Sequence, residues 1–372
     1  MELTAVNTAI DAGIMENHAR KNKPRGHLGM SRIGHDDART LWYEFRWSLP
    51  DDFSARTLRI FQAGHDGEET VVKLLKQAGY QVWEIDHETG QQWRVSFVGG
   101  HFSGSSDGII KGLPVPGCEE MPHLLEIKTA KASKFKEFQK KGVKQANPVY
   151  WYQMQCYMAP EALNLSAALF VVLNKDTSEI YAERVNRESG IFNRLHQKAA
   201  EIIASDTPPR STYRDKTWFE LKYRSDNWNA IYWGERLPPQ NCRNCRHACA
   251  ITEGSGARWY CRRYAYDIPL DFQRTGCTDH NYLPAMMPAD FVAIHDTHNA
   301  VEYRTREDNP VTFFNAPAGS LRNVYASQEL EQISKSGITA ATVADDFIGI
   351  MRESFGARVV QHAIEADSAP CF

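Results

Sequence analysis

The stretch that most constrains what this chain can fold into runs from Gly104 to Lys128. It reads Gly-Ser-Ser-Asp107-Gly-Ile-Ile, then a Pro- and Gly-containing excursion from Gly112 to Pro122, then His-Leu-Leu-Glu126-Ile-Lys128. Two short apolar runs, each bounded by turn residues, predict paired strands joined by a loop. Side chains alternate faces along a strand, so Glu126 and Lys128 share one face and Ile127 takes the other. Asp107 ends the neighbouring run. If the strands pair, two carboxylates and an ammonium meet at one spot, an oxygen-rich setting for a hard divalent cation with a positive group beside it. A lone Glu-x-Lys also suits an ordinary exposed strand, so the flanking sequence has to decide.

Upstream, Gly64-His-Asp-Gly-Glu68 lies in a helical pattern, and downstream stands Tyr150-Trp-Tyr-Gln153-Met-Gln155-Cys-Tyr157. The order Glu68, Asp107, Glu126-Ile-Lys128, Gln153 resembles the PD-(D/E)XK nuclease superfamily, in particular its RecB-like and lambda-exonuclease-like branch, which includes the YqaJ-type viral recombinases. The resemblance covers about residues 28 to 205. It implies an α/β (α+β) fold in which helices flank a central mixed sheet of the restriction-endonuclease-like type. It also implies that Asp107, Glu126 and the Ile127 carbonyl hold Mg2+ or Mn2+. Glu68 would bind that ion, a second ion or its water, and Lys128 would orient or deprotonate the attacking water. Gln153 and Tyr157 are then expected near the same site, positioning Lys128 or the DNA backbone.

At 372 residues, with 42% hydrophobic and 24% charged residues, the chain can bury a sizeable core. No apolar run approaches the roughly 20 residues of a bilayer span, and the N-terminus shows no signal-peptide pattern, so the expectation is a cytoplasmic protein of a bacterium or phage-infected cell. The net charge of -3 does not advertise a polyanion partner. Between Lys128 and Lys144, however, seven Lys face one Glu. Lys131, Lys134, Lys136, Lys140, Lys141 and Lys144 are therefore candidates to track DNA phosphates, although a solvated helix face has the same composition.

Residues 1 to 20 read as a short amphipathic helix, and Ser31 and Asp36 as helix N-caps before Leu41, Trp42 and Phe45. Helical spacing runs from Ser54 to Ala78, as one helix bent at Gly64 and Gly67 or as two. Tyr80 to Val98 reads as a hairpin turning at His87 to Gly90. A basic helix is predicted from Ala132 to Lys141 and an aromatic one from Pro148 to Met158. Strands follow at Leu165 to Leu173 and Glu179 to Val185, then a helix from Gly190 to Ala204. The domain reading is a nuclease core over 1–205, an aromatic connector over 206–240, a Cys-rich metal module over 241–284 and a C-terminal extension over 285–372. The connector carries Trp218, Phe219, Tyr223, Trp228, Tyr232 and Trp233. The extension has strand-like runs at Phe291 to Ile294 and Val311 to Phe314, then helical patterns at Ser327 to Ile333 and Thr342 to Phe355.

Five of the eight Cys fall between Cys242 and Cys277, which points to metal more than to disulfides. Cys242-x2-Cys245 followed by Cys261 and Cys277 predicts a tetrahedral structural zinc site, with His247, Cys249 and His280 as spare ligands. Unrelated free thiols are the plain alternative, and a four-iron four-sulfur cluster is the runner-up metal. Iron-sulfur relatives within the resembled branch place one Cys N-terminally, and no Cys precedes Cys118 here, leaving His35 as a remote substitute. Arg243, Arg246, Arg258, Arg262 and Arg263 decorate the module and could grip phosphates.

The function expected from these features is a metal-dependent DNA exonuclease of recombination, repair or phage DNA processing, working with DNA and with a single-strand annealing or other recombination protein. A structure-specific or restriction-type endonuclease is the alternative on the same core. A non-catalytic DNA-binding or assembly protein built around the zinc module is a third.

Overall fold

The computed structural model describes residues 4–21, 24–50, 53–218, 221, 224–317 and 323–344. Contacts divide the chain into two compact units: one of residues 1–36, 51–201 and 253–256, the other of residues 37–50, 202–252 and 257–372. Residues 37–50 group with the later part of the chain.

The first unit is built on a five-stranded sheet of β1 (Gln81–Trp83), β2 (Gly108–Lys111), β3 (His123–Ala130), β4 (Ala167–Asn174) and β5 (Ile180–Asn186). Spatial order runs β5-β4-β3-β2-β1, so every neighbour in space is also a neighbour in sequence among these strands. All pairs are antiparallel except β3 with β4, where Glu126 stands beside Phe170 and Lys128 beside Val172. A parallel pair needs a crossover. Helices α3 (Ala132–Ala146) and α4 (Pro148–Met158) supply it, α1 (Thr4–Lys21) and α2 (Ala55–Gln77) precede the sheet, and α5 (Ile191–Ala204) follows it.

The two faces of β3 separate by residue parity. Leu125 and Ile127 join Val71 and Val72 of α2, with Ile110, Leu169 and Val171, in one buried cluster. Burying such aliphatic side chains is worth about 1.5 to 3 kcal/mol each. On the opposite face Phe170 meets Phe138 of α3 at 5.4 Å between ring centroids. The sheet is thus sandwiched between α2 and the α3–α4 pair, as the sequence pattern predicts.

Several boundaries differ from expectation. Helix α2 runs unbroken through Gly64 and Gly67. Gly67 is retained for closeness instead: a Cβ there would stand 2.5 Å from Thr129 Cγ2, so only glycine lets α2 lie this tightly on β3. Helix α1 has no buried residue and is not amphipathic in its packing. It meets α2 through the Arg59–Asp11 ion pair, and His18 meets the ring of Phe53 just ahead of α2. The 80–98 hairpin is split: Gln81–Trp83 joins the main sheet, Ile85–Asp86 pairs with Gln91–Gln92, and Arg94–Phe97 pairs with Phe102–Ser105 in a separate small sheet. Helix α3 is interrupted at Gly142, whose φ of 70° is left-handed. There Val143 N–H donates to the Glu183 carboxylate at 2.7 Å.

In the second unit Asp37, not Ser31 or Asp36, caps the helix Ala38–Phe45, accepting from Thr40 N–H. Asp37 is fully buried and also accepts from Thr212 N–H at 2.8 Å and Tyr232 OH at 3.0 Å. Burial pushes its carboxyl up, but the bonds from Thr212 and Thr40 outweigh it and hold the carboxyl below the usual range. The unit contains β6 (Ala248–Ala250), β7 (Trp259–Cys261) and β8 (Tyr266–Asp267), which form one sheet. A second sheet comprises β9 (Asp290–His295), β10 (Ala300–Arg304), β11 (Thr312–Asn315) and β12 (Val324–Tyr325). The helix Ser327–Ser334 follows as predicted. Of the helical pattern expected from Thr342, the part up to Ala344 is helical, and the remainder, with connector residues Phe219 and Tyr223, lies outside the described residues.

Candidate active site and cysteine cluster

The site in the first unit sits where β2 and β3 part. Their pairing ends at Gly108 beside Leu125. The next inward-facing backbone donor of β3, Ile127 N–H, finds no strand and is taken by the Asp107 carboxylate at 2.7 Å. A residue's N–H and C=O point the same way from a strand, so the Ile127 carbonyl faces the same fork. It accepts from Lys128 Nζ at 2.9 Å. Lys128 Nζ also lies 2.7 Å from Glu126 Oε1 and 4.0 Å from Asp107 Oδ2. The ammonium therefore occupies the centre of the ligand set expected from sequence.

Glu126 forms the floor. It is 0% exposed, while Lys128, Asp107 and Glu68 are at 20%, 25% and 31%. The Lys128 ammonium, 2.7 Å from Oε1, is the charged partner of Glu126, and Glu126 Oε2 is buried without a hydrogen bond. Burial raises its pKa to about 7, opposed by Lys128 and reinforced by Asp107 and Glu68. Glu68, one helical step beyond Gly67, is also raised, by burial and then by the Asp107 charge. It feels Lys128 and pairs with His65 at 3.4 Å. Burial alone would lower Lys128, but Glu126, Asp107 and Glu68 together hold it above its ordinary value.

Gln153 and Tyr157 come to the same site by another route. Gln153 donates to the Tyr157 oxygen, and Tyr157 OH donates to the Ser105 carbonyl at 2.8 Å. This chain braces the strand Phe102–Ser105, two residues ahead of Asp107. Neither side chain hydrogen-bonds Lys128. Burial, then the Glu126 charge, raises the Tyr157 pKa, so the phenol stays neutral. The aromatic neighbour of Lys128 is Tyr150, with Nζ 5.5 Å from the ring centroid. Tyr150, Gln153 and Tyr157 recur at helical spacing and share one face of α4. That spacing is the sequence signal that places Tyr150 with them.

The basic helix presents its cations unevenly. Phe135 and Phe138 are buried. Lys134 is engaged with Glu137 and the Ala146 carbonyl, and Lys144 with Glu188 and the Trp151 ring. Lys131, Lys136, Lys140 and Lys141 are exposed and form no ion pair among the described residues. Lys141 also acts on the Glu137 carboxylate through space, which leaves Lys131, Lys136 and Lys140 without a carboxylate partner among the described residues.

In the second unit Cys242, Cys245, Cys261 and Cys277 line one cavity, with Arg263, Tyr264 and Asp279 at its wall. Backbone N–H groups point at three of the thiols: Gly276 at Cys242, His247 and Asn281 at Cys245, and Asp279 at Cys277. Burial pushes these three thiols up. Even so, no group of three or more His, Cys, Asp or Glu among the described residues is closed up around a single point, either here or at the acid cluster. His280 is not available as a spare ligand. Its Nε2 contacts Asn241 O and Asn244 Oδ1 at 3.0 and 2.9 Å, and its Nδ1 contacts Ser327 Oγ at 2.8 Å.

The arginines of this module are mostly spent internally. Arg243 is fully buried and stacks 3.6 Å from the Trp47 ring centroid. Arg246, Arg258 and Arg263 pair with Asp296, Asp267 and Asp279. Of the five named from sequence, Arg262 alone is exposed without an ion pair among the described residues.

No protein-family model matches the sequence, and no curated protein matches it. Among solved structures, the chain is similar to an alkaline exonuclease (LHK-Exo) from Laribacter hongkongensis, at 19% identity and a TM-score of 0.34, over 49% of this chain and 88% of the other. The dAMP complex of LHK-Exo matches at 19% identity and 0.34, over 48% and 87%. SSO0001 matches at 16% identity and 0.33, over 55% and 89%. No helix among the described residues is long and apolar enough to cross a membrane.

Proposed function

We propose that this chain is a divalent-metal-dependent deoxyribonuclease, an exonuclease acting on DNA ends in recombination, repair or phage DNA processing. The observation that carries this reading is the fork between β2 and β3, where Glu68, Asp107, Glu126 and the Ile127 carbonyl surround Lys128. The donors suit a hard cation. All are oxygens, Glu126 Oε2 is buried without a hydrogen bond, and the Ile127 carbonyl is free of the strand ladder. Asp107, Glu126 and Ile127 would hold Mg2+ or Mn2+, with Glu68 on that ion, a second one or its water. When bound, the cation supplies charge neutralisation at the phosphate and a more acidic water.

The chain's own residues do the rest. Lys128 keeps its proton beside three carboxylates, so we assign it the orienting role and not the deprotonating one. Its ammonium can hold the attacking water and a phosphate oxygen at once. Tyr150 limits where that ammonium can swing, and the Gln153–Tyr157–Ser105 chain fixes the backbone two residues ahead of Asp107. Lys131, Lys136, Lys140 and Lys141 lead the DNA backbone along α3.

The test is digestion of end-labelled linear DNA and of closed circular DNA in Mg2+ and in Mn2+. Degradation of the linear form alone, lost in Asp107→Ala, Glu126→Ala and Lys128→Ala proteins that remain folded, is the expected result. Linear single- and double-stranded DNA both left intact would overturn the proposal, and cleavage of the circle would move it to the endonuclease reading. For the second unit the reading is one structural Zn2+ held by Cys242, Cys245, Cys261 and Cys277. The shared cavity and the N–H groups aimed at the thiols support it, since such donors stabilise the thiolate form that binds metal.

A further inference from the structure

The four-stranded sheet of the second unit ends in a strand that is apolar, exposed and open along one side. β9 pairs with β10 on its inner side, and no described strand pairs with its outer side. Its six residues, Asp290-Phe-Val-Ala-Ile-His295, include neither Lys nor Pro, the residues that usually blunt a sheet edge. Phe291, Val292 and Ile294 are 51%, 40% and 44% exposed.

The register makes the exposure more pointed. Phe291 stands opposite Tyr303 and Ile294 opposite Val301, with the strand bulging between Phe291 and Ala293. Directly opposed residues share a face. Tyr303 and Val301 are fully buried, so Phe291 and Ile294 belong to the core face of the sheet yet remain about half open at its rim. The bulge has put two residues three apart onto one face, where a regular strand would put them on opposite faces. The other face carries Asp290 and His295, each with a partner on its own chain, Arg306 and Glu302.

We propose that β9 is a dimerisation edge, occupied by β9 of a second copy in antiparallel pairing about a two-fold axis between Val292 and Ala293. That register pairs all six residues and brings the two core-face apolar residues, Phe291 and Ile294, together. Phe291 of each copy falls opposite the second copy's Ile294 on the core face, continuing the apolar layer across the seam. Asp290 falls opposite the second copy's His295 on the solvent face. A two-fold contact must be self-complementary in this way, residue i meeting j and j meeting i. The bulge is what makes the register possible, because it brings positions of opposite parity into phase. A seam of six residues is small against the roughly 1,000 Å2 of a standing interface, so the dimer forms in the micromolar range. This inference is independent of the nuclease reading.

Sedimentation velocity of the full chain across the micromolar range tests it, together with hydrogen exchange of the 290–295 amides at low and high concentration. The expected results are a concentration-dependent dimer, slower exchange at 290–295 as concentration rises, and association weakened at least about tenfold by Phe291→Lys or Ile294→Lys. Circular dichroism confirms that those variants fold, and if they do not, the concentration dependence of wild-type exchange decides alone. A chain that stays monomeric throughout, a dimer the variants leave unchanged, or protection at 290–295 independent of concentration would each overturn the proposal.

Discussion

Replacing Glu126 by Gln should change the pH dependence of stability more than the stability at any one pH. Glu126 is fully buried, and burial lifts its pKa from 4.5 to about 7. The folded protein therefore binds this proton more tightly than the unfolded chain does. The stabilisation is complete below the unfolded value and is lost as pH rises through the folded one. A displacement from 4.5 to about 7 corresponds to about 3 kcal/mol, at about 1.4 kcal/mol for each tenfold step. In metal-free buffer the wild type should give up that amount between about pH 4.5 and pH 8, and the Glu126→Gln protein should not. For a unit of this size the variant should gain roughly 6 to 12 °C in melting temperature relative to wild type over that interval. Glu68, also raised, titrates in both proteins, so the difference reports Glu126 together with its coupling to Glu68. Calorimetric melts at several pH values in a chelator read the effect directly. Added Mg2+ at pH 8 should then recover stability in the wild type and less in the variant. Wild-type and variant curves that run parallel from pH 5 to pH 8 would refute the reasoning.

Gly67→Ala should lower activity and cost about 1 to 3 kcal/mol, because the new methyl meets Thr129 Cγ2, and Thr129→Ser in the same chain should recover part of both. Charge reversal at Lys136, Lys140 and Lys141 should reduce the salt slope of DNA binding by about 0.9 per lost duplex contact, while reversal at Lys134 and Lys144 should leave it unchanged. Anaerobically purified protein should contain about one zinc per chain, lost in Cys245→Ser and kept in His280→Ala, as metal analysis will show. Iron with acid-labile sulfide, or no metal, would remove the zinc reading.

The strands around Asp107 and Glu126, the crossover helices and the split of faces along β3 were legible because they rest on local rules: apolar alternation, helical spacing and turn residues. Pro148–Met158 matches its predicted span for that reason. What escaped was set by distant packing. Gly64 and Gly67 look like helix breakers from propensity, yet α2 runs through both, and at Gly67 β3 comes close enough to require the absence of a side chain. The 80–98 segment alternates like a hairpin, and nothing local says that its two arms serve different sheets. At the site, the residue types could be named from order alone. The Lys128 ammonium lying among the ligands, and Tyr157 bonding to Ser105 and not to Lys128, depend on where strands part, which sequence does not encode locally. The same holds for the arginines near the cysteines, whose carboxylate partners lie between 9 and 50 residues away.

The single parallel seam, between β3 and β4, has a consequence for how the site comes into being. Asp107 and Glu126 lie on one antiparallel hairpin and meet by closing a short loop, whose entropic cost is small. Tyr150, Gln153 and Tyr157 arrive only when the whole crossover from Ala130 to Ala167 has docked, a slower event of higher contact order. The acids should thus be assembled before the wall that steers them, and a folding intermediate arrested at the hairpin would gather cations before it could cut DNA.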